Sequence, residues 1–266
     1  MTEEEGNKIP QTKRKVDAFQ DVAPAVRNKT KKMMMYLIIF AIVMLFAGFT
    51  SGYIVMNAGT YWVHITPPAI LYWSIGALAA SSLFIVLAIR AIKQANKAAA
   101  QLLVILTLIG GIVFTTTQWM GWNELSEKGM GFSQSLDDNG LEKTTWNRID
   151  QIKGEYGVDF YVYRDEQVLR FEDGKYFITA RDGKELDVSG EVELKSNSSA
   201  GMIAVLLVVH ILHLALGLVY LIINLIRIRK LRINSGDHVQ LQVNGTYWHF
   251  MGLLWVYLFY FLFFIH

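Results

Sequence analysis

Three histidines are the residues of this sequence best suited to chemistry inside a membrane. His210 and His213 are three positions apart, so on a helix they share one face. His249 lies near the start of the last apolar run, 247–266. Histidines from two helices can ligate a b-type haem, and a single histidine can hydrogen-bond a neighbouring helix. The chain has no cysteine, which excludes thiolate zinc sites, iron–sulfur clusters and covalently attached haem.

Carboxylates, the other groups that do chemistry in membranes, are absent from the apolar runs. The chain has 23 aspartates and glutamates, and all of them lie outside these runs. A proton pump or an ion-coupled transporter normally keeps a carboxylate within the membrane. The sequence therefore favours a role without a charged pathway through this chain.

Five apolar runs must position these side chains: 34–57, 68–92, 99–122, 200–226 and 247–266. A helix needs about 20 apolar residues to cross a hydrocarbon core about 30 Å thick. Backbone groups in lipid must bond internally, so each run is predicted to be a helix. We predict an all-α integral membrane fold. It is a five-transmembrane-helix bundle with a small extramembrane β-rich insertion between helices three and four.

Basic residues indicate the side of the membrane on which each connection lies. The N-terminal region, the turn between helices two and three, and the segment after helix four hold 15 of the 25 lysines and arginines. The positive-inside rule puts all three segments in the cytoplasm. The basic residues that flank the predicted helices are Arg27, Lys29, Lys31, Lys32, Arg90, Lys93, Lys97, Arg227, Arg229, Lys230 and Arg232.

This orientation divides the chain into four parts in a bacterial plasma membrane. Residues 1–33 are a polar cytoplasmic tail, which does not resemble a cleavable signal peptide, and 34–122 are helices one to three. Residues 123–199 are a periplasmic insertion. Residues 200–266 are helices four and five around a basic cytoplasmic loop, with the C-terminus outside.

The insertion is acidic and contains turn signals. It carries 17 acids and 10 bases, a net charge of −7. Asp173-Gly174 and Asp182-Gly183 are tight-turn dipeptides, so we predict an antiparallel β-meander near 158–189. Residues 123–150 are predicted to be irregular or partly helical. The acidity is typical of a solvated surface, and it would also attract a basic soluble partner such as an electron carrier.

Depth in the membrane separates the two interpretations of the histidines. At 1.5 Å per residue, His213 lies roughly 10 Å from the inner face and His249 roughly 3 Å from it. A mismatch of roughly 7 Å is poor for one haem, although helix tilt would reduce it. The spacing therefore favours interhelical hydrogen bonding over haem ligation.

Small and aromatic residues indicate packing faces and membrane boundaries. Gly48 and Gly52 form a GxxxG pair on helix one, and Gly76 and Ala80, with Ala77 and Ser81, do likewise on helix two. Such faces let helices approach closely, either within the bundle or against a partner subunit. Aromatic residues at helix ends are typical of an interfacial belt. They are Tyr61, Trp62, Tyr72, Trp119, Trp122, Tyr247 and Trp248.

Several segments, taken in order, resemble subunit III of haem–copper cytochrome c oxidase. The ending from Tyr247 to Phe250, with Trp255 after it, is similar to the last-helix signature of that family. The H-x-x-H-x-x-x-G pattern is present at His210, His213 and Gly217. The remaining matches are Phe46, Ala47, Gly48 and Phe49 in helix one and Leu102, Leu103, Thr107, Gly110, Phe114 and Gln118 in helix three. The resemblance does not cover the insertion, and it is to the family's five-helix form.

The resemblance implies a non-catalytic subunit without bound haem, copper or other metal, packed on subunit I and stabilising it. Haem a and copper would lie in subunits I and II of a proton-pumping enzyme of aerobic respiration, and bound phospholipid is a further expectation. The family's membrane acids fall at Ile42, Gly121 and Gly252 here, so proton supply through them is not carried over. Residues expected to have structural or packing roles, none of them catalytic, are His210, His213, His249, Gln118, Trp248, Trp255, Gly48 and Gly52.

Two other functions remain open at this point. One is a b-type cytochrome or a quinone-site membrane anchor, and the other is a stand-alone transporter or assembly factor. The acidic insertion is expected to dock a cytochrome c or a neighbouring respiratory complex. No feature of the sequence indicates a nucleic-acid partner.

Overall fold

The computed structural model describes residues 23–264 except 59, 131, 137–141, 166, 181, 196, 232 and 234. The residues before Ala23, together with Arg232 and His266 of the orientation argument, lie outside the described residues. Five of the described helices are long and apolar enough to cross a membrane, and small β-sheets occupy the region between the third and fourth of them. The predicted all-α membrane bundle with a small β-rich insertion is therefore confirmed.

Four of the five long helices are longer than the apolar runs that predicted them, and α2 has the same length as its run. They are α1 Pro24–Asn57, α2 Ala69–Lys93, α3 Lys97–Glu127, the short α4 Ser189–Glu193, α5 Ser198–Arg229 and α6 Val239–Phe264. α1 begins at a proline, whose missing N–H costs nothing in a first turn. The basic residues expected before the first helix therefore lie within it.

The end of α3 corrects a second expectation. The helix continues past Trp122 to Glu127, so Glu124 and Glu127 are helical residues. The prediction that all acids lie outside the five helices is wrong for these two. The physical reason is that glutamate is a good helix former, and a helix can continue beyond the apolar run.

Short polar caps connect the helices at one end of the bundle. Asn96 caps α3, where its side chain accepts a hydrogen bond from the Ala99 N–H at 3.1 Å. Ala95 takes a left-handed conformation (φ 59°), which lets the chain reverse between α2 and α3. We call this the basic end, since Arg90, Lys93 and Arg227 lie here. The opposite end is the insertion end.

α6 lies at the centre of the bundle. It packs against α1, α2 and α5, while α3 packs against α2 and α5. Buried residues cover more than half of the circumference of α6, from Leu241 to Phe263, and the remaining face is exposed at Leu253 and Tyr260. On α1, by contrast, the buried residues form one narrow stripe: Met35, Ile42, Phe46, Thr50 and Tyr53.

The insertion contains three small antiparallel sheets. β2 (Phe132–Leu136) pairs with β3 (Glu142–Trp146), and the order in the second sheet is β1 (Trp62–Ile65), β4 (Phe160–Arg164) and β5 (Gln167–Val168). The third sheet is β6 (Arg170–Glu172), β7 (Lys175–Thr179) and β8 (Glu185–Asp187), followed by α4.

The predicted meander is correct for part of its length. Asp173 and Gly174 both have positive φ in the β6–β7 turn, as a tight hairpin requires. However, 158–189 forms parts of two sheets, because β4 pairs with β1 from the α1–α2 connection. The expectation that 123–150 is irregular or partly helical missed the β2–β3 hairpin.

Candidate functional site

His210 lies where four helices meet. It is 1% exposed, and its ring centroid is 5.4 Å from that of Trp255, 6.2 Å from that of Phe114 and 6.5 Å from that of Phe46. Neither ring nitrogen has a hydrogen-bond partner among the described residues, and the same holds for Trp255 Nε1. His210 therefore contacts its neighbours through ring packing, which differs from the interhelical hydrogen bonding expected of it.

His213 is anchored to its own helix. Its Nδ1 donates to the Val209 carbonyl oxygen at 2.8 Å, and its ring lies 6.0 Å from that of Phe46. The backbone carbonyl of His213 accepts a hydrogen bond from the Tyr247 hydroxyl at 2.8 Å. The bond between α5 and α6 at this level thus comes from a tyrosine, and the imidazole takes no part in it.

Trp248 joins α6 to three other helices. Its Nε1 donates to Ser81 Oγ on α2 at 3.1 Å, and its ring packs on Gly217 of α5 and Gly111 of α3. A Cβ at Gly111 would lie 2.7 Å from the Trp248 ring and 2.6 Å from Leu218, so only glycine fits there. Trp248 is consequently a central packing residue of the bundle.

The predicted aromatic belt is wrong for four of its seven members, and Trp122 is half-buried. Trp248, Tyr247, Trp62 and Tyr61 are buried, whereas Trp119 and Tyr72 are exposed as a belt requires. The reason is that composition at a helix end does not tell which way a side chain points. Trp62 lies beneath the insertion, where its Nε1 donates to the Tyr53 hydroxyl at 3.0 Å.

Gln118 bonds to a serine that the sequence did not single out. Its Nε2 donates to Ser74 Oγ on α2 at 2.9 Å, and both side chains are buried. Gln118 was expected to join the histidines only if the helices tilted. Ser74 and Ser81 are seven residues apart on one face of α2, which is the sequence signal that could have revealed both contacts.

His249 lies on a different side of α6 from the two tryptophans. Trp248 and Trp255, seven residues apart, share a face, and His249 is rotated by about 100° from Trp248. It is half-buried and lines two grooves, one of ≈ 270 Å³ with Lys32 of α1 and one of ≈ 250 Å³ with Leu78 of α2. His249 therefore does not share the contacts of His210 and His213.

The glycines of α1 are open. A Cβ at Gly48 would meet nothing within 4 Å, and one at Gly52 would meet only Met202 Cε at 3.8 Å. A Cβ at Gly76 of α2 would also meet nothing. Among the described residues, Gly48 and Gly76 thus do not serve packing inside the bundle, and Gly52 contacts it only through Met202.

The three positions where the family resemblance implies an acid have different surroundings. Ile42 is buried. At Gly121 a Cβ would lie 2.5 Å from Leu71 Cδ2, so Leu71 occupies the space of any longer side chain. At Gly252 the nearest atoms of Leu78 are 3.4 Å away, an ordinary van der Waals contact.

Polar contacts attach the insertion to the bundle. Lys128, just after α3, donates to Asp159 Oδ1 at 2.7 Å; this bond lowers the pKa of Asp159 and raises the pKa of Lys128. Arg164 of β4 donates to the Tyr61 hydroxyl at 2.6 Å, and Tyr61 donates to Glu191 of α4 at 2.7 Å. The insertion thus contacts the bundle in two places. One is next to β1, the short strand between α1 and α2, and the other is the end of α3.

The part of the chain that the structure describes contains no group of three or more histidine, aspartate, glutamate or cysteine side chains placed to hold a metal ion.

Comparison with known proteins identifies the last part of the chain. Residues 197–266, which contain α5 and α6, match the family model of cytochrome c oxidase subunit III. The resemblance drawn from the sequence is confirmed over these residues, about a quarter of the chain. No curated protein matches the chain. The match and the five apolar helices together indicate a multi-pass membrane protein whose residues 197–266 are similar to cytochrome c oxidase subunit III.

Proposed function

Because residues 197–266 carry the subunit III pattern, we propose that the chain is a non-catalytic subunit III of a haem–copper cytochrome c oxidase. In this proposal it packs on subunit I and stabilises it, while subunits I and II hold haem a and copper. The complex oxidises cytochrome c, reduces dioxygen to water and pumps protons in a bacterial plasma membrane. The observation that carries the proposal is the family match over α5 and α6.

The open face of α1 supports packing against a partner subunit. Gly48 and Gly52 line a part of the helix that no described side chain covers closely, and the neighbouring Met44 and Val55 are exposed. Small residues on such a face allow a partner helix to approach closely in a membrane. We assign this α1 face to the contact with subunit I.

Orientation and lipid form part of the same proposal. The basic end lies in the cytoplasm and the insertion end in the periplasm, as the positive-inside rule predicts. The groove next to His249 and Lys32 combines a cation with apolar walls, which supports phospholipid as its occupant in the membrane.

The competing functions have less support from the side chains. A b-type cytochrome needs two histidines directed at one site, whereas His249 lies on another side of α6 from the Trp255–His210 contact. A transporter normally needs a membrane carboxylate, and the helical acids Glu124 and Glu127 lie at the insertion end of α3, beyond its apolar run.

Co-purification tests the proposal directly. The tagged chain is isolated from its own membranes in mild detergent, and the reduced-minus-oxidised spectrum and copper content are measured. We expect haem a and copper in fixed proportion to the chain. A chain that purifies alone, or that carries a b-type haem by itself, would overturn the proposal.

A further inference from the structure

The insertion contains an aromatic pocket that none of the functions above uses. It is a cavity of about 240 Å³ between the 149–156 segment, β6, β7 and α4. Its walls include Tyr156, Phe160, Phe171 and Tyr176, and its rim includes Asp150 and Glu193. All of these residues precede residue 197, so the pocket is independent of the subunit III match.

The aromatic wall is built from rings in mutual contact. The centroid of Tyr156 lies 5.3 Å from that of Phe171 and 5.6 Å from that of Tyr176, and Phe171 and Tyr176 are 4.8 Å apart. Phe171 and Tyr176 are also directly opposite each other in the β6–β7 ladder. Aromatic faces carry partial negative charge, so clustered rings at a cavity favour a cation.

Hydrogen bonds fix the wall before any ligand arrives. The Tyr156 hydroxyl donates to the Leu169 carbonyl, and the Tyr176 N–H donates to Ser189 Oγ at 2.8 Å. A pre-organised site loses less conformational entropy on binding than a flexible one. Phe171 is the exception, since it is 42% exposed and forms the outer edge of the pocket.

Of the two acids at the pocket, Asp150 is held in a salt bridge, whereas Glu193 interacts with Arg148 at longer range. Asp150 is paired with Arg148 through both of its oxygens. Glu193 forms no ion pair with any described residue. Burial, with Tyr156, Glu193 and Asp150 adding to it, raises the pKa of Tyr176 to about 12. Tyr176 thus stays a neutral phenol, and Glu193 supplies the negative charge that a ligand would meet.

We infer that this pocket binds the ammonium group of a lysine side chain from a basic protein that docks on the insertion. Aromatic faces and a carboxylate are the groups that recognise alkylammonium ions. A protein partner is favoured over a free cation because the insertion as a whole has a net charge of −7, which attracts a basic surface. The partner's lysine enters past Phe171 and meets Glu193.

Peptide binding to the full chain in detergent tests the inference. A fluorescein-labelled tetralysine peptide is titrated at low salt, and its anisotropy is followed. Glu193→Gln and Phe171→Leu should each weaken binding by about fivefold, the size of a partly exposed cation–π or charge contact. The matched controls Glu155→Gln and Phe177→Leu make the same chemical changes outside the pocket, and should change binding less than about twofold.

Two further measurements keep the outcomes distinct. The same peptide with acetylated lysine side chains should not bind; equal binding would overturn the inference. Equal weakening by Glu155→Gln and Glu193→Gln would mean general charge attraction, which also overturns it. If choline binds to the pocket and the lysine peptide does not, the pocket takes a small free cation and the protein partner is wrong. None of these results depends on co-purified haem, so they test the pocket separately from the proposed function.

Discussion

The central and peripheral helices of this bundle have similar composition and opposite surroundings. Of the most apolar 18 residues in each helix, 61% are buried in α6 and 17% in α1. Both helices are long and apolar enough to cross a membrane. Burial by protein therefore does not follow hydrophobicity in a membrane, where lipid is as apolar as leucine. Shape decides instead: Trp248 of α6 packs on glycines of α3 and α5, whereas a Cβ at Gly48 of α1 would meet nothing described within 4 Å.

The largest effect should come from truncating the central tryptophan. Trp248→Ala removes a ring that is 1% exposed and its hydrogen bond to Ser81. We expect the free energy of unfolding to fall by about 3–5 kcal/mol, as for other buried tryptophans. Unfolding in mixed micelles measures it. Trp73→Ala is the matched control, since Trp73 is 76% exposed and should lose little; equal losses would refute the central role of α6.

Replacing glycine by alanine should affect stability differently at a tightly packed glycine, Gly111 of α3, and at an open one, Gly48 of α1. Gly111→Ala places a Cβ 2.6 Å from Leu218 and 2.7 Å from the Trp248 ring, so we expect a loss of about 1–3 kcal/mol from overpacking. Gly48→Ala meets nothing within 4 Å and replaces a poor helix former. Its unfolding free energy should be unchanged or slightly higher. A loss at Gly48 similar to that at Gly111 would contradict the contrast between the helices.

A larger change on α1 tests whether its open face has a partner. The double variant Gly48→Leu with Gly52→Leu should change the stability of the isolated chain little, because a Cβ at Gly48 meets nothing described within 4 Å and one at Gly52 meets only the flexible end of Met202 at 3.8 Å. Association with the haem-containing subunits should fall several-fold, since a partner helix could no longer approach. Haem a per chain after purification is the measurement. The control Ile112→Phe enlarges an exposed residue of α3 and should retain haem a; equal loss in both would remove the α1 face as the contact.

The smallest effect concerns the buried polar pair that links α3 to α2. Gln118→Leu and Ser74→Ala remove a hydrogen bond of 2.9 Å, and such bonds contribute about 0.6 kcal/mol in membrane proteins. A double-mutant cycle on unfolding isolates the coupling energy. A coupling near zero would mean that these side chains are held by packing alone.

The sequence predicts those parts of the structure that depend on local pattern. The five helices follow from apolar length, and the β6–β7 turn follows from Asp173-Gly174. The direction of a side chain within an apolar helix does not follow, because every face of Trp248's helix is apolar. Trp248 was therefore expected at the membrane boundary and lies at the centre instead.

Long-range pairings were likewise invisible to sequence patterns. The bond from Gln118 to Ser74 joins residues 44 positions apart, and the spacing of Ser74 and Ser81 on α2 indicates a polar face without naming the partner of either serine. The pairing of β1 with β4 depends on residues about 100 positions apart, such as Trp62 and Tyr163. The roles of His210, His213 and His249 stay predictions, although the structure shows that the three do not share one site.

The pairing of β1 with β4 has a consequence for biosynthesis. Trp62–Ile65 emerges from the ribosome before α2 and α3, while its partner Phe160–Arg164 emerges after them. In the interval the backbone N–H and C=O groups of β1 have no partner strand. Such an exposed strand edge can pair with another chain or with a non-native strand. Completion of the sheet must therefore wait until two further helices have been made. At that point the third helix has brought the growing chain back to the side of the membrane where the strand is held.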